Sequence, residues 1–192
     1  MRLFVGFPVP PSLARTLEDG CRRMAPRLTS PISWVRADRM HITLKFLGEV
    51  PDSRVGAIAQ TLGHIHGPAF VLAPQRAGFF PNPRFPRVLW IGFAPSPEAQ
   101  SIFQAVEDHL APLGFPREPR AFTPHLTLAR IKTAHPQDPW SSLEQGLSAH
   151  GHDPFPVERM VLWHSILTPQ GPRYHSLHEF PLGEFPSQCA AE

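Results

Sequence analysis

Two His-x-Thr tripeptides, His41-Ile42-Thr43 and His125-Leu126-Thr127, carry residue types and spacing that can do chemistry. Histidine titrates near neutral pH and can give or take a proton. In an extended strand a threonine two residues on shares its face, and its hydroxyl can donate to a phosphate oxygen. One copy means little: with 11 histidines and 8 threonines, composition alone yields about 0.4–0.5 copies of the pattern. Two copies facing each other supply an acid, a base and two donors around one phosphorus. That set suffices for in-line displacement without a metal ion. Each proton-transfer group contributes roughly 10²–10⁴-fold, and the donors stabilise charge as it develops. The motifs are nearly equivalent, so the residues alone leave acid and base interchangeable.

The elements that hold these residues read as strands. In His41-Ile42-Thr43-Leu44-Lys45-Phe46-Leu47, strict alternation puts Lys45 on the face of His41 and Thr43. Ile42, Leu44 and Phe46 then point the other way, which assigns Phe46 to the core rather than to a base-stacking platform. Around His125, alternation puts Arg130 opposite the motif. A guanidinium suits a phosphate clamp, so Arg130 must reach the motif's face round a strand end or a bulge. Phe79, Phe80 and Arg84 read as part of a Pro-rich loop around Pro81 to Pro86 that fills space near the rim.

The strands sit in an internal repeat. Arg2-Leu3-Phe4-Val5-Gly6-Phe7 resembles Arg87-Val88-Leu89-Trp90-Ile91-Gly92-Phe93, and Pro and Ser suited to a helix start follow each. Apolar stripes at Leu13, Leu17 and Met24, and at Ile102, Phe103, Val106 and Leu110, predict a helix in each half. From Arg2 to His41 is 39 positions and from Arg87 to His125 is 38. Further helices are expected from the opening at Pro51-Asp52-Ser53 to about Leu62 and between Pro136 and Leu147. Strands are expected at Phe70 to Leu72, at Met160 to Trp163 and from Tyr174 to Phe180. This pattern predicts an α+β protein of two pseudo-symmetric lobes. Each lobe is an antiparallel sheet with helices outside, around a central cleft. Residues 1–182 form this single bilobal domain and residues 183–192 a flexible tail.

His41-Ile42-Thr43-Leu44-Lys45-Phe46-Leu47-Gly48 and Pro124-His125-Leu126-Thr127-Leu128-Ala129-Arg130 closely resemble the paired motifs of the 2H phosphoesterases. Within them the chain is most similar to the bacterial and archaeal RNA 2′,3′-cyclic phosphodiesterases, also called 2′-5′ RNA ligases. Arg2-Leu3-Phe4, Trp34-Val35, Pro86 to Trp90 and Arg173-Tyr174 match as well. The resemblance implies hydrolysis of a 2′,3′-cyclic phosphate on RNA or a nucleotide to a 2′-phosphate, with reversible 2′-5′ RNA ligation beside it. It implies that His41 donates a proton to the leaving 3′ oxygen and that His125 accepts one from water. Thr43 and Thr127 would hold the phosphate oxygens, with Arg130 and Phe46 as substrate contacts. No cofactor and no metal are called for. The alternatives are an RNA- or nucleotide-binding module without turnover and a 2H esterase for another small cyclic phosphate.

Composition narrows the other classes. The net charge of +2 and pI near 8.8 fall short of the dense basic stripe that tracks a long nucleic-acid backbone, yet suit binding one or two phosphates. Two cysteines, Cys21 and Cys189, make no disulfide framework and fit a reduced, cytoplasmic setting. The apolar start runs into Pro8, Pro10 and Pro11, too short for a signal peptide, and no stretch is long enough to span a membrane. His64-x-His66 and His150-x-His152 lack neighbouring Cys or carboxylates at zinc-ligand spacing. His109, His135, His164, His175 and His178 belong to no readable constellation. No heptad or exposed apolar stripe argues for an oligomer, so a monomer is expected.

Overall fold

The structure, a computed structural model, describes residues 1–148 and 151–185. Cys189, His150 and most of the expected tail therefore lie outside the described residues. The chain runs β1 (Arg2–Pro8), α1 (Pro11–Met24), β2 (Ile32–Trp34), β3 (His41–Glu49), α2 (Asp52–Gly63), β4 (Phe70–Leu72) and β5 (Pro74–Phe80). It continues through β6 (Val88–Phe93), α3 (Pro97–Leu110), β7 (His125–Ile131), α4 (Trp140–Ser148), β8 (Phe155–Val157), β9 (Arg159–Thr168) and β10 (Gly171–Pro181). The α+β class and the four α-helices among the described residues agree with the sequence. Among the described residues no helix is long and apolar enough to cross a membrane.

Local chemistry explains the helices. Pro11 opens α1 in the first turn, where a missing N–H costs nothing, and Leu13, Ala14, Leu17, Gly20 and Cys21 are buried on one face. Burial pushes the Cys21 thiol up to about 12, so it behaves as a small apolar group. Ser96 caps α3, accepting from the Ala99 N–H at 3.1 Å, and Ile102, Phe103, Val106 and Leu110 face inward. Each fully buried aliphatic or aromatic side chain stabilises the fold by about 1.5–3 kcal/mol. Helices α1 and α4 pack together against β7 and β5, while α2 and α3 pack together against β3 and β10.

Among the described residues eight strands join in one antiparallel sheet of order β10-β9-β1-β3-β7-β6-β5, with β2 added beside β7, while β4 and β8 form a separate two-stranded sheet. The two halves of the larger sheet meet where Ile42 pairs with Leu126. Strand pairing also fixes the repeat. Phe4 faces Phe46 as Val88 faces Arg130, and Gly6 faces Thr43 as Trp90 faces Thr127. The equivalence is an offset of 84 residues on both strands (Phe4 to Val88, His41 to His125), one residue away from the match of Arg2 to Arg87. The later strands differ more from expectation. The partner of Phe70–Leu72 across the pseudo-two-fold is β8, which pairs directly with β4. Strand β5 pairs with β6, and β9 pairs with β1. Each sequence half thus contributes the flanking strand of the other half's sheet, so the lobes are not separate chain segments. The chain stays engaged past β10: the Leu182 N–H donates to the Glu158 carbonyl, and Gly183 pairs with Gly67.

Candidate active site

Two bulges decide which side chains reach the cleft. Val5 faces Lys45 and Gly6 faces Thr43, so Leu44 is an extra residue in β3. Leu89 faces Ala129 and Trp90 faces Thr127, so Leu128 is the extra residue in β7. An extra residue reverses the facing of everything beyond it. Arg130 is thereby carried onto the face of His125 and Thr127, resolving by a bulge the conflict that alternation posed. The same shift corrects two expectations on β3. Phe46 is not core: it is 66% exposed and lines the cavity. Lys45 is not on the cleft face: it is 7% exposed, and its Nζ donates to both Glu107 carboxylate oxygens at 2.7 Å and to the Pro116 carbonyl at 2.8 Å. Phe46 and Arg130 are therefore pseudo-symmetric counterparts, one apolar and one cationic.

The four motif residues converge through the register. With Ile42 opposite Leu126 in an antiparallel pair, His41 falls opposite Thr127 and Thr43 opposite His125. All four share the face away from the fully buried Ile42 and Leu126. Diagonal neighbours in such a ladder stand on the order of 7–8 Å apart, which leaves room for a phosphoryl group between the imidazoles.

Both imidazoles are anchored alike. His41 Nδ1 lies 2.8 Å from the Arg39 carbonyl, and His125 Nδ1 lies 2.8 Å from the Thr123 carbonyl. A carbonyl only accepts, so each Nδ1 carries a hydrogen and donates it. Nε2 is then the nitrogen that exchanges protons. Burial lowers the His41 pKa to about 4, against the raising effect of the Arg39 carbonyl and with help from His125 and Arg130. Burial also lowers His125, and Arg130 adds to the effect. Both rings thus sit in a cationic, partly dry setting that disfavours imidazolium until an anion enters.

The motif residues open into a cavity of about 830 Å³ that also takes in Phe46, Arg130, Trp34 and Tyr174. Aromatic rings brace each histidine. Phe4, Tyr174 and Trp163 lie 4.6, 5.1 and 5.7 Å from His41 between ring centroids. On the other side Phe80 meets His125 edge-on at 5.1 Å and stacks on Trp90 at 5.0 Å. Phe79 and Phe80 belong to strand β5 rather than to a loop, and Arg84 stays in the turn beyond it, where its N–H donates to the Asn82 side chain. Sequence assigns no role to Trp163, because nothing local marks it, and identifies Tyr174 only as part of the family match at Arg173-Tyr174. Trp163 reaches the site through the pairing of Phe4 with Trp163 across β1 and β9. His64 closes the end of α2, and among the described residues no three His, Cys, Asp or Glu side chains gather as a metal would require.

Comparison with known proteins bears on this geometry. The family model described as LigT like Phosphoesterase matches residues 7–90 and 92–174, one stretch in each half. An RNA 2′,3′-cyclic phosphodiesterase of Archaeoglobus fulgidus is 33% identical over 180 residues, covering 94% of this chain and 99% of the relative. One of Aeropyrum pernix is 36% identical over 150 residues, covering 78% of this chain and 85% of the relative. Among solved structures, E. coli LigT complexed with 3′-AMP superposes with a TM-score of 0.74 at 25% identity, covering 94% of this chain and 97% of that one. A protein of Thermus thermophilus superposes with a TM-score of 0.78 at 27% identity, covering 96% of this chain and 99% of that one. The duplicated motif, the bulged strands that present it and the matches along both halves agree: this chain belongs to the LigT-like phosphoesterases, within the 2H superfamily.

Proposed function

We propose that this chain hydrolyses 2′,3′-cyclic phosphates at the ends of RNA, or on nucleotides, to 2′-phosphates by metal-independent acid–base catalysis between His41 and His125. The observation that carries the reading is the matched pair of imidazoles, each fixed through Nδ1 to a carbonyl two residues back and each sharing a strand face with a threonine. Relatives named RNA 2′,3′-cyclic phosphodiesterase along nearly the whole chain support the substrate class. In this mechanism His125 Nε2 takes a proton from water as its oxygen attacks phosphorus. The P–O3′ bond breaks, and His41 Nε2 delivers its proton to O3′. The P–O2′ bond stays, which leaves a 2′-phosphate. Thr43, Thr127 and Arg130 hold the non-bridging oxygens as charge grows, and Phe46 offers an exposed face to a base. With a 5′-hydroxyl of RNA in place of water as the attacking group, the same steps join ends through a 2′-5′ link, and their reversal cleaves that link.

The test is incubation of the purified protein with 2′,3′-cyclic nucleotides and with RNA ending in a cyclic phosphate, EDTA present. The expected product is the 2′-phosphate. His41→Ala and His125→Ala are each expected to lower kcat by roughly 10²–10⁴-fold while circular dichroism stays native. A 3′-phosphate product, or wild-type rates in either variant, would refute these roles. Binding without turnover at any pH would favour a nucleotide-binding module instead.

A further inference from the structure

The cationic side chains of the cavity are distributed unevenly about the pseudo-two-fold. Arg130 belongs to the motif of the second half. Arg2, at the start of β1, and Arg39, just before β3, line the same cavity as His41. Their counterparts 84 residues on are Pro86 and Thr123, so the second half offers no such pair. Among the described residues no aspartate or glutamate lines the cavity. Among the described residues Arg2, Arg39 and Arg130 have no carboxylate partner. Three guanidiniums gathered without a counter-charge in one concave site mark a place where an anion belongs.

Arg39 is also preorganised. Its Nη1 donates to the Gln170 carbonyl at 3.0 Å, in the turn between β9 and β10. Gly171, at φ 101, follows, and a Cβ there would collide with the guanidinium. The glycine lets the turn take a left-handed conformation and lets Arg39 lie against it. The remaining guanidinium N–H groups stay available. Tyr174 lies in the same field: burial raises its hydroxyl pKa, and Arg130, Arg39 and Arg2 each pull it down. The cavity, at about 830 Å³, sits in the upper part of the roughly 300–1,000 Å³ range of small-molecule sites, so it holds more than the reacting group.

We propose that Arg2 and Arg39 form a second anion subsite that takes the phosphate on the 5′ oxygen of the nucleotide bearing the cyclic phosphate. The inference rests on the function proposed above. A cyclic phosphate spans O2′ and O3′ of the last ribose. The next phosphate of an RNA end is therefore attached to the 5′ oxygen of that same ribose, one sugar away from the scissile phosphorus. With the cyclic phosphate between the two motifs, the asymmetry of charge directs this group over the half built from β1, β9 and β10. A free 2′,3′-cyclic nucleoside monophosphate lacks the group and leaves the subsite unused.

The experiment compares three substrates: a nucleoside 2′,3′-cyclic phosphate, the same compound carrying a 5′-phosphate, and a dinucleotide ending in a cyclic phosphate. The expected result is a kcat/KM higher by about tenfold or more for the substrates with a 5′-side phosphate, the scale of a charge-assisted contact. The difference should sit mainly in KM and shrink as salt is raised. In the Arg2→Ala, Arg39→Gln double variant the ratio should collapse towards unity. The terminal and bridging phosphates are told apart by which of the last two substrates gains more. A parallel binding measurement, with nucleoside 2′-phosphate against nucleoside 2′,5′-bisphosphate, reads the subsite without turnover. No preference in the wild type, or a preference that survives the double variant, would overturn the subsite while leaving the hydrolase reading intact. Absence of turnover with a retained bisphosphate preference would do the reverse.

Discussion

His41 and His125 are each locked through Nδ1, and each has its pKa lowered by burial beside Arg130. In the free protein at neutral pH both rings are therefore neutral, which suits a base and not an acid. An entering phosphodiester changes the balance, because its negative charge favours imidazolium and offsets Arg130. With His41 as the acid, kcat/KM requires it protonated in the free protein, where its pKa is about 4. Because His125 is lowered as well, that profile should lose its alkaline side below pH 6.5, the unperturbed histidine value. The profile of kcat reports the substrate complex, so its alkaline limb should lie at higher pH. Paired rate profiles on a cyclic nucleotide check this, and coincident limbs at or above pH 6.5 would contradict a histidine pair held neutral by burial and Arg130. The two His-x-Thr motifs were legible from residue type and spacing alone. Their protonation setting was not, since it comes from groups placed by other strands.

At the scale of the elements, the bulges at Leu44 and Leu128 do most of the arranging. They explain why alternation correctly paired each histidine with its threonine and failed two residues later at Lys45, Phe46 and Arg130. A bulge is a property of a strand pair, and one strand's sequence does not display it. The same holds for Phe80, which the surrounding prolines disguised as loop until its pairing with Val88 made it the end of β5. Gly6 shows how closely β1 supports the site. It faces Thr43, and a Cβ added there would run into the Ile42 carbonyl and crowd the Thr43 Cα. Both are backbone atoms of the His41-Ile42-Thr43 motif, so no flexible group can give way. Gly6→Ala is expected to push β3 outward at the motif. A displacement near 1 Å costs about 10²-fold in rate, so kcat should fall on that scale while the thermal midpoint drops only modestly. A variant with wild-type kcat would show that β1 does not set the position of His41 and Thr43.

The whole molecule is a duplication whose halves do not stand alone. The repeat was visible in the sequence because it resides in local patterns: strand, helix, strand with motif, helix. What those patterns conceal is the exchange of flanking strands, because β5 and β9 carry no mark of the sheet half they join. The first half surrenders β5 to β6 and receives β9 and β10 beside β1; the buried residues of both halves fuse into one core. Lys45 on β3 meets Glu107 on α3 within that core, a buried ion pair across the two halves. Removing either segment leaves its lone buried charge uncompensated, at a cost of roughly 3–5 kcal/mol. It also exposes the β1 edge or the β6 edge. A fragment of residues 1–84 is therefore expected to remain unfolded by circular dichroism and hydrogen exchange, as is a fragment of residues 85–192. Mixing the two should restore the sheet, since every missing strand is supplied by the other piece, and with it both histidines of the cleft. The intact chain should unfold in one transition followed equally by far-ultraviolet dichroism and by tryptophan fluorescence, to which Trp90 and Trp163 in opposite sheet halves both contribute. Two separated transitions, or a half that folds alone with native protection, would mean that the exchanged strands add to two independent lobes instead of making one cooperative unit.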